Sequence, residues 1–168
     1  ANLRALGAGM SVDGVFRIVQ HLREKTQVRL VLVTYLNPVF HYGYQAFLER
    51  CQVLGVDGLI IPDLPYEEKG ELAPLAKTYG VDVISMIAPT CCQRIQKIAA
   101  EAEGFIYVVS SMGVTGVRSE IQTDLQSIVK TIREVTDTPA AIGFGISTPK
   151  QAEEMAAVAD GAIVGSAI

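Results

Sequence analysis

Six short apolar runs recur along the chain: VRLVLVTY (28–35), DGLIIPDL (57–64), DVISMIAP (82–89), GFIYVVSS (104–111), AAIGFGIS (140–147) and DGAIVGSA (160–167). Most are nearly continuous in Val, Ile and Leu and do not alternate with polar residues. Strands read this way when both faces are buried, as in a parallel sheet covered by helices. Amphipathic segments separate the runs. Residues 12–25 put Val12, Val15, Phe16, Val19 and Leu22 on one helical stripe behind Ser11, a cap. Segments 44–55 and 69–80 stop at Gly55 and Gly80, suited to the left-handed turn that closes a helix. Segments 92–103 and 123–135 are helical on the same grounds, and Thr148, Pro149 and Gln151 form a capping-box start. The pattern predicts a helix, then alternating strands and helices, with strand starts 20 to 36 residues apart.

Such an alternation builds either an open doubly wound sheet or a β/α barrel. No G-x-G-x-x-G follows a run, and Thr148 stands in the slot after Gly143 and Gly145, which favours the barrel. A (β/α)8 TIM barrel has eight parallel strands and about 250 residues. The 168 residues supply about six strands, so the expectation is one partial barrel domain over 1–168, without the first two βα units and the last helix. A chain 49% hydrophobic and 19% charged is not disordered, and a net charge of −4 with no basic run points away from nucleic acid. No run of about 18 apolar residues predicts a membrane span. The opening ANLRALGAGM lacks a secretory leader, so the expected location is cytoplasmic, or the plastid stroma in a plant or alga. Cys51, Cys91 and Cys92 with two histidines offer no zinc spacing, and no metal is expected.

Barrel chemistry sits at the C-terminal ends of strands. Those ends carry Tyr35, Asn37, Asp63, Thr90, Ser110, Gly143–Ser147 and Gly165–Ser166. GFGIS and VGSAI bring bare glycine backbone to two successive ends, the first beside a helix start, which suits a phosphate. The alternative is that these glycines only relieve crowding among barrel side chains. Segment 110–124 reads as a long loop, with Gly113 and Gly116 flanking Val114 and Thr115, either as in a lid or as a tolerated surface insertion. Segment 34–43 reads as an irregular loop whose Leu36, Val39, Phe40 and Tyr42 suit either a partner surface or packing over the barrel mouth. Asp63 in PDLP reads as turn chemistry, and Cys91–Cys92 open a helix with no histidine beside them in sequence. No nucleophile–base pair is visible.

Taken together, ANLRALGAGM, YLNPVF, GVDGLIIPDLP, SSMGVTGVR, IGFGIS and DGAIVGSAI resemble, in order and spacing, the α-subunit family of tryptophan synthase, over essentially the whole chain. The resemblance implies a (β/α)8 barrel and a lyase of tryptophan biosynthesis that cleaves indole-3-glycerol phosphate to indole and glyceraldehyde 3-phosphate. It implies a substrate-phosphate site at Gly116, Gly143, Phe144, Gly145, Gly165 and Ser166. It implies an indole pocket of Val33, Tyr35, Ile60, Met86, Tyr107, Phe144 and Ile163, and a lid-supporting role for Thr115. Asn37, Pro38 and Phe40 resemble part of the contact with the β subunit of an α2β2 tetramer. That partner carries the pyridoxal phosphate, and this chain carries no cofactor. The family's catalytic Glu and Asp fall upstream of Ala1, so no catalytic residue is expected within the sequence and the 168 residues alone are expected to be inactive. The alternatives are another phosphate-binding barrel enzyme, such as a sugar-phosphate isomerase or aldolase, and a non-catalytic barrel fragment.

Overall fold

The computed structural model describes residues 2–110, 118–143, 145–165 and 167–168. The chain divides into two compact units, Ala1–Val83 and Ile84–Ile168. The first contains α1 (Asn2–Gly7), α2 (Val12–Arg23), β1 (Val31–Val33), α3 (Leu36–Tyr42), α4 (Tyr44–Leu54), β2 (Gly58–Ile60), α5 (Ala73–Thr78) and β3 (Asp82–Val83). β2 lies between β1 and β3 and is parallel to both. Its residues are all buried, which is why GLI shows no polar alternation.

Ser11 caps α2 by accepting from the Gly14 N–H at 3.2 Å. The apolar stripe of α2 buries Phe16 and Val19 in a core with Phe47, Leu48 and Cys51 of α4 and Leu59 of β2. The Phe16 ring stands 5.1 Å from that of Phe47 and 5.6 Å from that of Tyr42. Val15 and Leu22, expected on the same stripe, remain 36% and 40% exposed. α4 stops at Gly55, whose φ of 69° lies in the left-handed region that glycine adopts without a Cβ penalty.

The entries to β1 and β2 are tied by one carboxylate. Asp57 accepts from the Leu30 N–H at 2.8 Å, from Arg23 at 2.9 Å and from Arg29 at 2.9 Å. Burial pushes the Asp57 carboxyl upward, but the Leu30 N–H bond and the charges of Arg29 and Arg23 outweigh it and hold it below its ordinary value.

Segment 34–43 is not an irregular loop: Leu36–Tyr42 is helical. Pro38 falls in the first turn, where a missing N–H costs nothing. Tyr35 gives no side-chain cap; instead Asp63, 27 residues away, accepts from the Leu36 N–H at 2.9 Å. Neighbouring residues cannot reveal a cap that arrives from another loop.

The second unit holds β4 (Ser85–Ile87), α6 (Cys92–Ala100), β5 (Ile106–Val109), α7 (Arg118–Arg133), β6 (Ala140–Gly143), α8 (Pro149–Ala156) and β7 (Gly161–Ile163). Its strands pair in chain order, all parallel. α6 packs on α7, and Ile95, Ile98, Leu125, Ile128 and Ile132 of these helices are buried. The six apolar runs give seven strand segments, because the third is interrupted at Ile84 between β3 and β4. The expected long loop 110–124 is shorter than it reads, since α7 begins at Arg118 in a stretch with no Gly or Pro to stop it. Residues 111–117, with the lid residue Thr115 among them, lie outside the described residues. The expected helix 69–80 is helical only at Ala73–Thr78, after a 3-10 turn at Tyr66–Glu68, with Gly70 between them. Among the described residues no helix is long and apolar enough to cross a membrane.

Two outcomes follow from this packing. Cys91 and Cys92 are exposed, whereas Cys51 is buried and its thiol is pushed up to about 12. Native alkylation at neutral pH therefore adds two labels by intact mass and a third only in denaturant; a native triple label contradicts the assignment. For Asp57, the lowered folded value means that its stabilising contribution is complete above the unfolded carboxylate value of about 3.9 and is lost as pH falls below it. The gap in urea midpoint between the wild type and Asp57→Asn is thus widest near neutral pH and closes in acid. A gap unchanged down to about pH 2 counts against the clamp.

Candidate active site at the ends of β6 and β7

In a parallel sheet, residues paired in register leave the same face, as do residues two apart on one strand. Met86 pairs with Tyr107, Tyr107 with Ala141, and Gly143 with Ile163. Met86, Tyr107, Gly143 and Ile163 therefore share one face, and Ile87, Val108 and Ile142 the other. Ile87, Val108 and Ile142 are fully buried, whereas Tyr107 and Val109 are only half-buried.

Gly143 is glycine because of Tyr107. A Cβ at Gly143 would lie 2.6 Å from the Tyr107 Cζ and 2.9 Å from its Cε1, with the hydroxyl closer still. The ring thus lies across the bare backbone of β6. The Gly143 carbonyl accepts from the Ser110 N–H at 2.9 Å and from the buried Ser110 Oγ at 3.0 Å. Beyond Gly143 the chain turns at Gly145, with φ at 80°. Gly145 and Gly165, just past the ends of β6 and β7, open onto one cavity of about 490 Å³, lined also by Tyr107, Ile146, Ser147, Ile163 and Ala167. A Cβ at Gly165 would meet nothing within 4 Å, so packing does not require that glycine.

The helix start beside this cavity is occupied by the chain itself. The Gln151 Oε1 accepts from the Ser147 N–H at 2.9 Å and the Thr148 N–H at 3.1 Å, and the Gln151 N–H donates to the Thr148 Oγ1 at 3.3 Å. Pro149 has no N–H to offer. The expected capping box is present, and it removes these donors from an anion. The sequence-based expectation that this helix end would help hold a phosphate is corrected on that ground: the donors that suit an anion are those of the glycine turns.

The cavity therefore joins glycine backbone on one side to an aromatic ring and aliphatic side chains on the other. Such a lining suits an anionic group carried on an apolar body. Burial holds the Tyr107 hydroxyl above its ordinary value, so it stays protonated at neutral pH and can donate. Among the described residues none that lines the cavity is a carboxylate, histidine or lysine, so those residues supply no acid–base pair. Among the described residues no group of three or more His, Cys, Asp or Glu is placed to hold a metal.

The structure brings Gly145, Gly165, Tyr107 and Ile163 together, with Gly143 beneath the Tyr107 ring. Met86 stands beside Tyr107 but is not among the residues lining the cavity. Val33, Tyr35 and Ile60 belong to the first unit, where Val33 pairs with Ile60. Val33 and Tyr35 are 69% and 59% exposed. Asn37, Pro38 and Phe40 lie on α3, where Phe40 is 64% exposed and meets Tyr44 edge-on. Gly116, Phe144 and Ser166 lie outside the described residues, as does Thr115. Sequence reasoning missed Ile146 and Ala167 as lining residues; their signal was position, one and two residues after a glycine. It also passed over Ser110 as a support for Gly143, because a buried hydroxyl looks like any serine until its partner is known.

Parallel strands joined by helices, with a glycine-lined cavity at the ends of adjacent strands, define a β/α barrel, of which this chain forms part. The comparisons narrow the class: the family model of the tryptophan synthase alpha chain matches residues 1–168, and the chain belongs to that family. It is 55% identical over 168 residues to the tryptophan synthase alpha chain of Lacticaseibacillus casei, covering all of this chain and 63% of the relative. It is 53% identical to that of Lactiplantibacillus plantarum, covering 64% of it. The chain thus spans somewhat under two thirds of these relatives. Tryptophan synthase subunit alpha from Campylobacter jejuni superposes with a TM-score of 0.91 at 36% identity, over 97% of this chain and 65% of that one. A structure of the a2b2 complex from Pyrococcus furiosus gives a TM-score of 0.86 at 32% identity, over 98% of this chain and 67% of that one.

The Tyr107–Gly143 contact has a direct test. Gly143→Ala forces the ring off β6 at an overpacking cost of about 1–3 kcal/mol, seen as a Tm several degrees lower and moved Tyr107 ring resonances. An unchanged Tm with unmoved resonances contradicts this packing.

Proposed function

We propose that this chain contributes the substrate-binding part of a lyase that cleaves indole-3-glycerol phosphate to indole and glyceraldehyde 3-phosphate. One observation carries the reading: the cavity lined by the glycine turns of β6 and β7 is also walled by Tyr107 and Ile163. The substrate is a phosphate ester on an aromatic body, and it needs both kinds of wall at once. Glycine N–H groups at Gly145 and Gly165 hold the phosphate, with Gly116, Gly143, Phe144 and Ser166 completing its surroundings. Tyr107 and Ile163, with Met86 beside Tyr107, accommodate the indole.

Cleavage breaks the bond between the indole ring carbon and the glycerol chain. It needs an acid to protonate the ring carbon and a base to take the proton of the glycerol hydroxyl. The family's carboxylates for these steps stand before the position of Ala1, and a polypeptide of these 168 residues alone binds without turning over. The family resemblance gives Thr115, outside the described residues, a lid-supporting role. Asn37, Pro38 and Phe40 contact a β subunit, which holds pyridoxal phosphate and receives the indole. The 64% exposure of Phe40 and the a2b2 assembly of the Pyrococcus furiosus protein support that partner.

The experiment is calorimetric titration of the 168-residue chain with glycerol phosphate, alongside an assay for indole release. Saturable binding without indole release is expected. Gly165→Ala is expected to keep the Tm, since its Cβ has open space, and to weaken binding at least several-fold by entering the cavity. Binding that is undiminished in Gly165→Ala, or absent from a folded wild type, overturns the assignment of this cavity.

A further inference from the structure

The entries to β1 and β6 are built from the same bonds. Arg23 ends α2 and Arg133 ends α7. Three residues on, the Thr26 N–H bonds the Leu22 carbonyl at 3.0 Å and the Thr136 N–H the Ile132 carbonyl at 3.2 Å. Each threonine hydroxyl then accepts from the N–H two residues ahead, Val28 at 3.2 Å and Thr138 at 3.1 Å. Each arginine donates to the carbonyl of that same residue, Arg23 to Val28 at 2.5 Å and Arg133 to Thr138 at 2.7 Å. Each arginine also pairs with an aspartate at the next strand, Arg23 with Asp57 and Arg133 with Asp160.

The aspartates complete the match. Asp57 accepts from the Leu30 N–H at 2.8 Å and returns its own N–H to the Leu30 carbonyl at 2.8 Å. Asp160 accepts from the Ala140 N–H at 2.7 Å and returns its N–H to the Ala140 carbonyl at 2.9 Å. Strand register then coincides: the residues after these pairs are partners, Val31 with Gly58 and Ala141 with Gly161. The sequences agree where the bonds require it, REKTQVRL at 23–30 against REVTDTPA at 133–140, and Asp-Gly at both 57–58 and 160–161. The clamp residues Leu30 and Asp57 are 27 apart while Ala140 and Asp160 are 20 apart, and the seven-residue difference equals the length of α3.

We propose that residues 23–62 and 133–165 are two copies of one structural unit, an internal repeat whose Arg–Thr–Asp clamp sets the register of the strand pair it enters. Counting Asp82–Ile87 as one strand, β1 and β6 stand four strand–helix units apart in chain order, half the period of an eight-unit barrel. Convergence on a single ion pair is common; convergence on a hydroxyl, two carbonyls, a reciprocal main-chain pair and a register is not. The copies differ at their ligand ends. Three residues beyond the clamp both second strands carry isoleucine, Ile60 and Ile163. The first copy has Val33, Tyr35 and Pro62 where the second has Gly143, Gly145 and Gly165. Gly143 makes room for Tyr107, and, resting on the phosphate reading above, Gly145 and Gly165 are the changes that open one copy to a ligand.

The test transplants the first turn into the second copy, as Val135→Lys, Asp137→Gln, Thr138→Val and Pro139→Arg together. Each of these positions is exposed or half-buried. The transplant is expected to shift Tm by less than about 3 °C and to keep the Ala140 amide protected from hydrogen exchange. Adding Arg133→Ala to it is expected to lower Tm further and release that amide, as Arg23→Ala does for Leu30 in the parent. Double-mutant cycles with Arg→Lys and Asp→Asn, chosen so that the variants fold, are expected to give coupling of the same sign at both clamps. Loss of Ala140 protection in the transplant, or coupling at one clamp only, overturns the repeat. None of these readouts involves phosphate, so the repeat and the binding assignment fail separately.

Discussion

The candidate site depends on β6 and β7 running parallel with Gly143 opposite Ile163. That register brings both strands to an end at the same level, so the turns that follow, at Gly145 and Gly165, open on one cavity. A one-residue slip would send Ile163 to the opposite face and separate the two glycines. Parallel pairing has a condition of its own: buried on both faces, the strands must be apolar throughout, and their polar chemistry is confined to the ends. The cavity is accordingly made of main chain and of the few side chains that the strand ends carry.

The two glycines that frame β6 do different jobs. Gly143 is demanded by packing, since Tyr107 occupies the space its Cβ would need. Gly145 is demanded by backbone conformation, with φ at 80°. Gly165 is demanded by neither among the described contacts, which leaves access as its reason for being small. The neighbouring helix start, with its donors bound to Gln151, acts as a rigid wall. The glycine backbone that faces the cavity is thus that of the turns, with the helix fixing where the first turn ends.

Much of this was legible in the sequence. The apolar runs marked the strands, most plainly β2, whose residues are all buried, and Thr148-Pro149 with Gln151 announced a helix start that the structure reproduces. The glycine-lined cavity was visible as paired glycines at successive strand ends. What escaped was non-local. α3 was read as a loop because its cap, Asp63, lies 27 residues away. The break at Ile84 carries no composition signal. The cause of Gly143 could not be read without knowing that Tyr107 stands on the adjacent strand and the same face. The repeated clamp hid for a similar reason, since R-E-x-T is too short to notice until its bonds are compared.

The central claim is that the glycine turns and the Tyr107–Ile163 wall form one site for a phosphate joined to an aromatic body. An amide and methyl chemical-shift map on titration with an indolylalkyl phosphate tests it most directly. The account predicts saturable shifts at the Gly145 and Gly165 amides together with Tyr107 ring and Ile163 methyl signals, all with one dissociation constant. Shifts at the glycines without the ring and methyl signals, or a saturable map centred away from the ends of β6 and β7, would contradict it.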